Sequence, residues 1–243
     1  MHVHSLGVEQ ITLYRAEVLS ARAAAAAGFP VFRYHARGHG DSAGDFAAVT
    51  LEGLVEDALA AAAEAQRRSG ATEVIWLGAR FGALVATLAA ARHGGSPAIA
   101  LWEPVHRPLE YFRAQLRGML FSQVAAGRRP DATVDQLMER LMRDDHVDVH
   151  GYLLHRALIE SAQDAELAGA LAPHRGALFL AQIQARPRLS PPNAALAANV
   201  ESRGQRVTTR CITEEPGWQF MLNPAWESDE LARAMQEWLD AVG

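Results

Sequence analysis

Apolar residues recur along this chain in two rhythms that alternate from one end to the other. Short runs of nearly continuous hydrophobicity cover residues 2–5, 30–35, 73–77, 98–102, 177–183 and 207–213. Such runs predict strands covered on both faces, because a strand with one wet face alternates apolar and polar positions. Longer stretches with helical spacing cover residues 10–27, 51–69, 81–93, 194–203 and 229–242, the last two flanked by Pro191-Pro192 and by Ser228. Strands alternating with crossover-length helices predict an α/β fold with a mostly parallel, doubly wound sheet of about six strands. The rhythm breaks between residues 107 and 172, where no good strand is visible and the spacing predicts helices, for example over 134–142 and 152–161. That interval reads as a helical cap inserted over the carboxyl ends of the strands, where open α/β sheets take their ligands. The chain then divides into a core of residues 1–106 and 173–243 and a cap of residues 107–172.

Composition narrows the picture only a little. The chain has 243 residues, 49% of them hydrophobic, enough for the core of one α/β domain. A formal net charge of −5 gives nucleic-acid binding no electrostatic support. All 23 basic residues are arginine and alanine is abundant, which reads as coding bias rather than function. The lone Cys211, inside an apolar run, excludes a disulfide framework and reads as a small buried hydrophobe in a reducing compartment. No apolar run approaches the ~20 residues of a membrane span, and the N-terminus lacks the basic and apolar regions of a signal peptide. Cytoplasmic location is the expectation. No cofactor or metal is expected: His146 and His150 would share a helix face at i, i+4, but no third ligand is in view and the Val-Asp-Val between them is strand-like.

The chemistry concentrates where residues 74–77 run into a helix through Gly78-Ala79-Arg80-Phe81-Gly82. In the Gly-x-Ser-x-Gly motif of serine hydrolases the glycines permit a sharp strand-to-helix turn that lifts the central side chain above the sheet. Here the turn is kept and an arginine stands in the nucleophile's place. Arginine stays protonated at working pH and cannot attack a carbonyl. Upstream, Arg37-Gly38-His39-Gly40-Asp41-Ser42 is a turn-and-capping device in which Ser42 is structural.

Taken with the order of elements, these segments resemble the α/β-hydrolase superfamily, in its serine-aminopeptidase-like branch. Within it the chain resembles the second type of exosortase-associated hydrolase. That narrower resemblance rests on His4-Ser5-Leu6-Gly7-Val8-Glu9 with Tyr14-Arg15, the arginine elbow, Leu101-Trp102-Glu103-Pro104-Val105, Val149-His150-Gly151-Tyr152-Leu153 and Gly217-Trp218-Gln219-Phe220. It implies an α/β-hydrolase fold, an oxyanion loop at residues 4–7, and an accessory role in a biosynthetic, envelope or polysaccharide pathway. The superfamily also implies an acid after the first strand beyond the cap and a histidine after the last strand. Neither position carries one, as the chain reads Gln184-Ala185-Arg186-Pro187 at the first and Glu214-Glu215-Pro216-Gly217-Trp218 at the second. The fold ordinarily opens with two antiparallel strands, whereas this chain begins almost inside the oxyanion-loop strand, so the expectation is either a natively N-terminally shortened sheet or a misplaced start. Residues 30–35 would then form an exposed edge suited to homodimer formation.

Several residues are candidates for the site. Arg80 and Glu103 would both project at the carboxyl edge of the sheet, either as an ion pair or as catalytic groups, with His106 as a general base. His4, Leu6, Gly7, Glu9, Phe81, Gly82, Glu214 and Trp218 would line the binding cleft, with the Phe81 N–H and the start of its helix drawing an anion. Glu9 could equally cap the first helix. Three functions compete. One is a binding protein for an anionic or acyl small molecule; another is an ester or thioester hydrolase that uses Arg80 and water activated by His106, Glu103 or Glu214. A serine hydrolase using Ser5 or Ser42 fails because neither serine sits on an elbow.

Overall fold

The computed structural model describes residues 1–218 and 225–242. Five parallel strands form the central sheet: β1 (His2–Val3), β2 (Trp76–Ala79), β3 (Ala98–Trp102), β6 (Ala177–Ile183) and β7 (Val207–Ile212), side by side in that order. Register is set by the pairs His2–Leu77, Leu77–Ala100, Ala98–Ala177 and Leu178–Val207. β3 and β6 are buried at every position, as continuous apolar runs demand.

Each face of the sheet has its own packing layer. Ile99, Leu101, Leu178 and Leu180 face helices α2 (Leu51–Ser69), α3 (Phe81–His93) and α8 (Pro191–Glu201). Ala100, Trp102, Phe179 and Ile183 face α1 (Val8–Ala26) and α9 (Asp229–Val242). The two sets alternate along each strand because successive side chains point to opposite faces. Helix α2 spans the predicted residues: the Thr50 hydroxyl accepts from Gly53 N–H at its start, and Gly70 closes it in a left-handed conformation. No helix among the described residues is long and apolar enough to cross a membrane.

Two expectations are corrected. Residues 30–35 do not form a strand; their pairing is a single parallel bridge between Arg33 and His2, beside the 3.0 Å bond from His2 N–H to Phe32 C=O. The neighbouring β1 is only two residues long, too short to template a longer ladder, so the sheet has five strands rather than six.

The interval 107–172 holds helices α4 (Pro108–Ala125), α5 (Val134–Asp144), α6 (Arg156–Ala162) and α7 (Leu167–Leu171), but also a hairpin of β4 (His146–Val149) and β5 (Tyr152–His155). Its turn is His150-Gly151, both at positive φ, with Asp148 Oδ1 accepting from Gly151 N–H at 2.7 Å. This is the left-handed pairing that Asn-Gly usually supplies, carried here by a histidine. The predicted helix over 152–161 is therefore strand for its first four residues, and His146 and His150 do not share a helix face.

Candidate functional site

The elbow is built by close backbone approach. A side chain on Gly78 would meet the Gly82 carbonyl oxygen at 2.3 Å, and one on Gly82 would meet the His4 carbonyl oxygen at 2.3 Å. The absence of a side chain on Gly82 thus lets the first turn of α3 touch the 4–7 loop. Between the glycines Arg80 adopts φ 53° and ψ −121°, the strained turn the motif predicts, at a cost of about 1–3 kcal/mol.

The Arg80 side chain turns onto Glu9. Arg80 Nε donates to Glu9 Oε1 at 3.0 Å, Nη2 lies 3.0 Å from the same oxygen, and Nη1 donates to the Glu103 main-chain carbonyl at 3.1 Å. The guanidinium carbon sits 5.4 Å from the Trp218 ring centre and 5.7 Å from that of Tyr111, within reach of both faces. Burial opposes its charge, but Glu9 and the other acidic neighbours outweigh that and hold Arg80 above its ordinary value.

Glu9, 2% exposed, is the centre of this network. Oε1 also accepts from Gln115 Nε2 at 2.7 Å, while Oε2 accepts from Ser5 Oγ at 3.1 Å and from Tyr111 Oη at 3.0 Å. Its other polar interaction, a Thr12 hydroxyl donating to the Glu9 carbonyl, lies within the first turns of α1. A buried carboxylate with donors on both oxygens and a bidentate-capable arginine is well compensated. Tyr111 and Gln115, spaced i, i+4 on α4, were missed by the sequence reading. Their only signal there is that spacing, which places two polar groups on one helix face.

Glu103 stands beside Arg80 but does not pair with it through its carboxylate. Its φ is 42°, and its Oε2 accepts from the Ile183 N–H at 2.7 Å, fixing the end of β6. Burial raises its pKa, with the Ile183 N–H and Arg80 pulling the other way. His106 is turned toward α8: its Nε2 donates to Asn193 Oδ1 at 2.7 Å, and Asn193 in turn donates to Gln182 Oε1 at 2.9 Å. Burial lowers the His106 pKa, leaving a neutral imidazole tied into a structural chain. Glu214 accepts from Ser228 Oγ at 2.8 Å, and Ser228 caps α9 through Leu231 N–H, so Glu214 belongs to the start of that helix. His4 bonds Glu17 on α1. Trp218 meets Trp226 edge-on at 5.4 Å and floors Arg80.

The remaining expected residues line small cavities. Leu6 and Gly7 border one of about 40 Å³ between the loop, α4 and the hairpin, with Phe46, Phe112, Tyr152 and Leu154 among its other walls. Phe81, with Leu6 again, borders one of about 30 Å³ on the other side of the loop, beside His4 and Tyr34. Gln219 and Phe220, quoted for the resemblance, lie outside the described residues. The last histidine anywhere in the chain is His174, before β6.

Residues 9–174 match the family model of the serine aminopeptidases, S33. No protein of curated function matches the chain by sequence. Among solved structures, the chain is similar to Est1E from Butyrivibrio proteoclasticus with bound ferulic acid, at 17% identity and TM-score 0.68, covering 100% of this chain and 87% of that one. The esterase Pf2001 of Pyrococcus furiosus aligns at 14% identity and TM-score 0.64, over 99% and 80% of the two chains. Mouse alpha/beta hydrolase domain-containing protein 10 aligns at 15% identity and TM-score 0.61, over 99% and 86%. At such identities the likeness establishes the α/β-hydrolase fold alone.

Proposed function

Because the chain belongs to the serine aminopeptidase S33 family while an ion-paired arginine occupies its elbow, we propose that it is a binding member of that family, holding an acyl small molecule without nucleophilic serine chemistry. The observation that carries this reading is the closure of the Arg80–Glu9 pair. With its guanidinium already on a carboxylate and a carbonyl, Arg80 offers little free charge to an anion, so of the two expected guest classes the acyl one is favoured. The apolar cavity beside Leu6 and Gly7 supports it, and about 40 Å³ suits a short acyl group of a few heavy atoms. In this reading residues 107–172 act as the cap that closes over the group. The accessory role in an envelope or polysaccharide pathway, implied by the exosortase-associated resemblance, belongs to the same proposal.

The test is a panel of two- to eight-carbon nitrophenyl esters and acyl thioesters, run on wild-type protein and Arg80→Ala at matched concentration. A binding role predicts no turnover above background and a saturable rise in melting temperature with the shortest esters, about 2.7 kcal/mol of stabilisation at a hundredfold excess over Kd. Wild-type turnover that collapses in Arg80→Ala would replace the proposal with water-based hydrolysis.

A further inference from the structure

A second buried cluster lies between β1 and α1. The geometry points to a divalent transition-metal site, of the kind that takes Zn²⁺ or Co²⁺, made by His2 Nε2, His4 Nδ1 and the Glu17 carboxylate. Their ligand atoms all lie within 4.8 Å of one another. His2 Nε2 is 3.8 Å from Glu17 Oε1, and His4 Nδ1 contacts Glu17 Oε2. A tetrahedral ion with bonds of ~2.0–2.1 Å separates its ligands by about 3.4 Å, so small shifts bring three donors into place and leave the fourth position to water. Two imidazoles and one carboxylate are a common zinc set.

Independent support comes from unmet hydrogen bonding. His2 Nε2 and Glu17 Oε1 face each other with no partner, in side chains only 4% and 0% exposed. Buried polar atoms are nearly always satisfied, and one ion bonded to both would satisfy this pair. His2 also lines a groove of about 590 Å³ that passes Ser20 and Ala21, one turn of α1 beyond Glu17.

Arg33 competes for the same carboxylate. Its Nη2 lies 3.7 Å from Glu17 Oε2, while the guanidinium rests 4.8 Å over the Tyr14 ring and is 21% exposed. Two cations near one carboxylate repel, so removing Arg33 should tighten metal binding. A merely structural ion cluster predicts no metal affinity to tighten.

Metal-free protein is titrated with Co²⁺, followed by its visible absorption, and then with competing Zn²⁺. The expected result is one equivalent of Co²⁺ with the intense absorption of a four-coordinate ion, and displacement by Zn²⁺. Affinity should fall at least tenfold in His2→Ala and Glu17→Gln, rise about tenfold in Arg33→Gln, and stay unchanged in His146→Ala, which alters a surface imidazole. A weak six-coordinate spectrum, or binding that survives in Glu17→Gln, overturns the inference. Should those variants fail to fold, the wild-type spectrum decides it unaided.

Discussion

Helix α1 carries two buried carboxylates, Glu9 and Glu17, 2% and 0% exposed, and their surroundings differ sharply. Glu9 receives donors from the 4–7 loop, the elbow and α4, and both its oxygens are occupied. Glu17 hydrogen-bonds His4 through one oxygen, while its other oxygen, His2 Nε2 and two Arg33 nitrogens are buried without hydrogen-bond partners, held only by longer ion-pair distances of 3.7–3.8 Å. A completed network is a lock, because every member is held by the others and none is free for a guest. An incomplete one stores the cost of unmet hydrogen bonds and responds to whatever can meet them, a proton or an ion. The comparison moves chemical interest from the elbow, where the family puts it, to the cluster beneath.

The comparison breaks first if the lock is weak. Glu9→Leu leaves Arg80 buried with a carbonyl but no carboxylate, which should cost about 3–5 kcal/mol. For a domain of this size that is a fall in melting temperature of about 6–20 °C. Adding Arg80→Met removes the stranded charge, so the double variant should recover part of the loss, with a coupling of about 1–3 kcal/mol in a thermal or urea cycle. Additive losses would mean that Arg80 and Glu9 do not act as a unit.

The ease of reading the two regions from sequence follows the range of their contacts. Strands β3 and β6 and helices α2 and α3 were legible because burial on both faces and local caps such as Thr50 write themselves into adjacent residues. The elbow was legible because its Gly-x-Arg-x-Gly pattern is itself local, although the close approach that requires Gly82 is to His4, far away in the chain. Arg80's partner was not. Glu103 seemed the natural choice on a neighbouring strand, yet Glu9 lies 71 residues away, and Tyr111 reaches Glu9 across 102. The 146–155 hairpin was hidden because its turn uses His150 where Asn or Gly would have announced it. The strand over 30–35 failed because pairing depends on the length of the partner, which residue preferences do not encode.

A smaller effect sharpens the contrast through pH. Unfolded His2 titrates near 6.5 and folded His2 near 3, so between those values the unfolded chain binds the extra proton and stability falls as pH falls. The Glu17 pKa is lowered in the folded state, mainly by His2 and His4 against its burial, and it acts in the same direction further down. From pH 6.5 to 5 the His2 contribution is about 2 kcal/mol. His2→Gln in the presence of a chelator should remove about one proton's worth of slope from urea midpoints over that interval. An unchanged slope would mean that His2 is not the responsive member of the cluster.

The smallest effect is expected at Glu103, and it tests whether the lock includes that residue. Burial raises its pKa, so the folded state favours the protonated carboxyl, and the stability this provides is lost as pH rises from the ordinary value of 4.5 through the raised one. Glutamine mimics the protonated form and keeps an oxygen for the Ile183 N–H. Glu103→Gln should therefore change stability by less than about 1 kcal/mol at neutral pH, and any gain should grow as pH rises through that window. Glu103→Ala should cost more, about 1–3 kcal/mol, since it strands a buried N–H at the end of β6. If glutamine proved as damaging as alanine, the negative charge itself would be what Arg80 needs, and the elbow network would rest on two carboxylates rather than one.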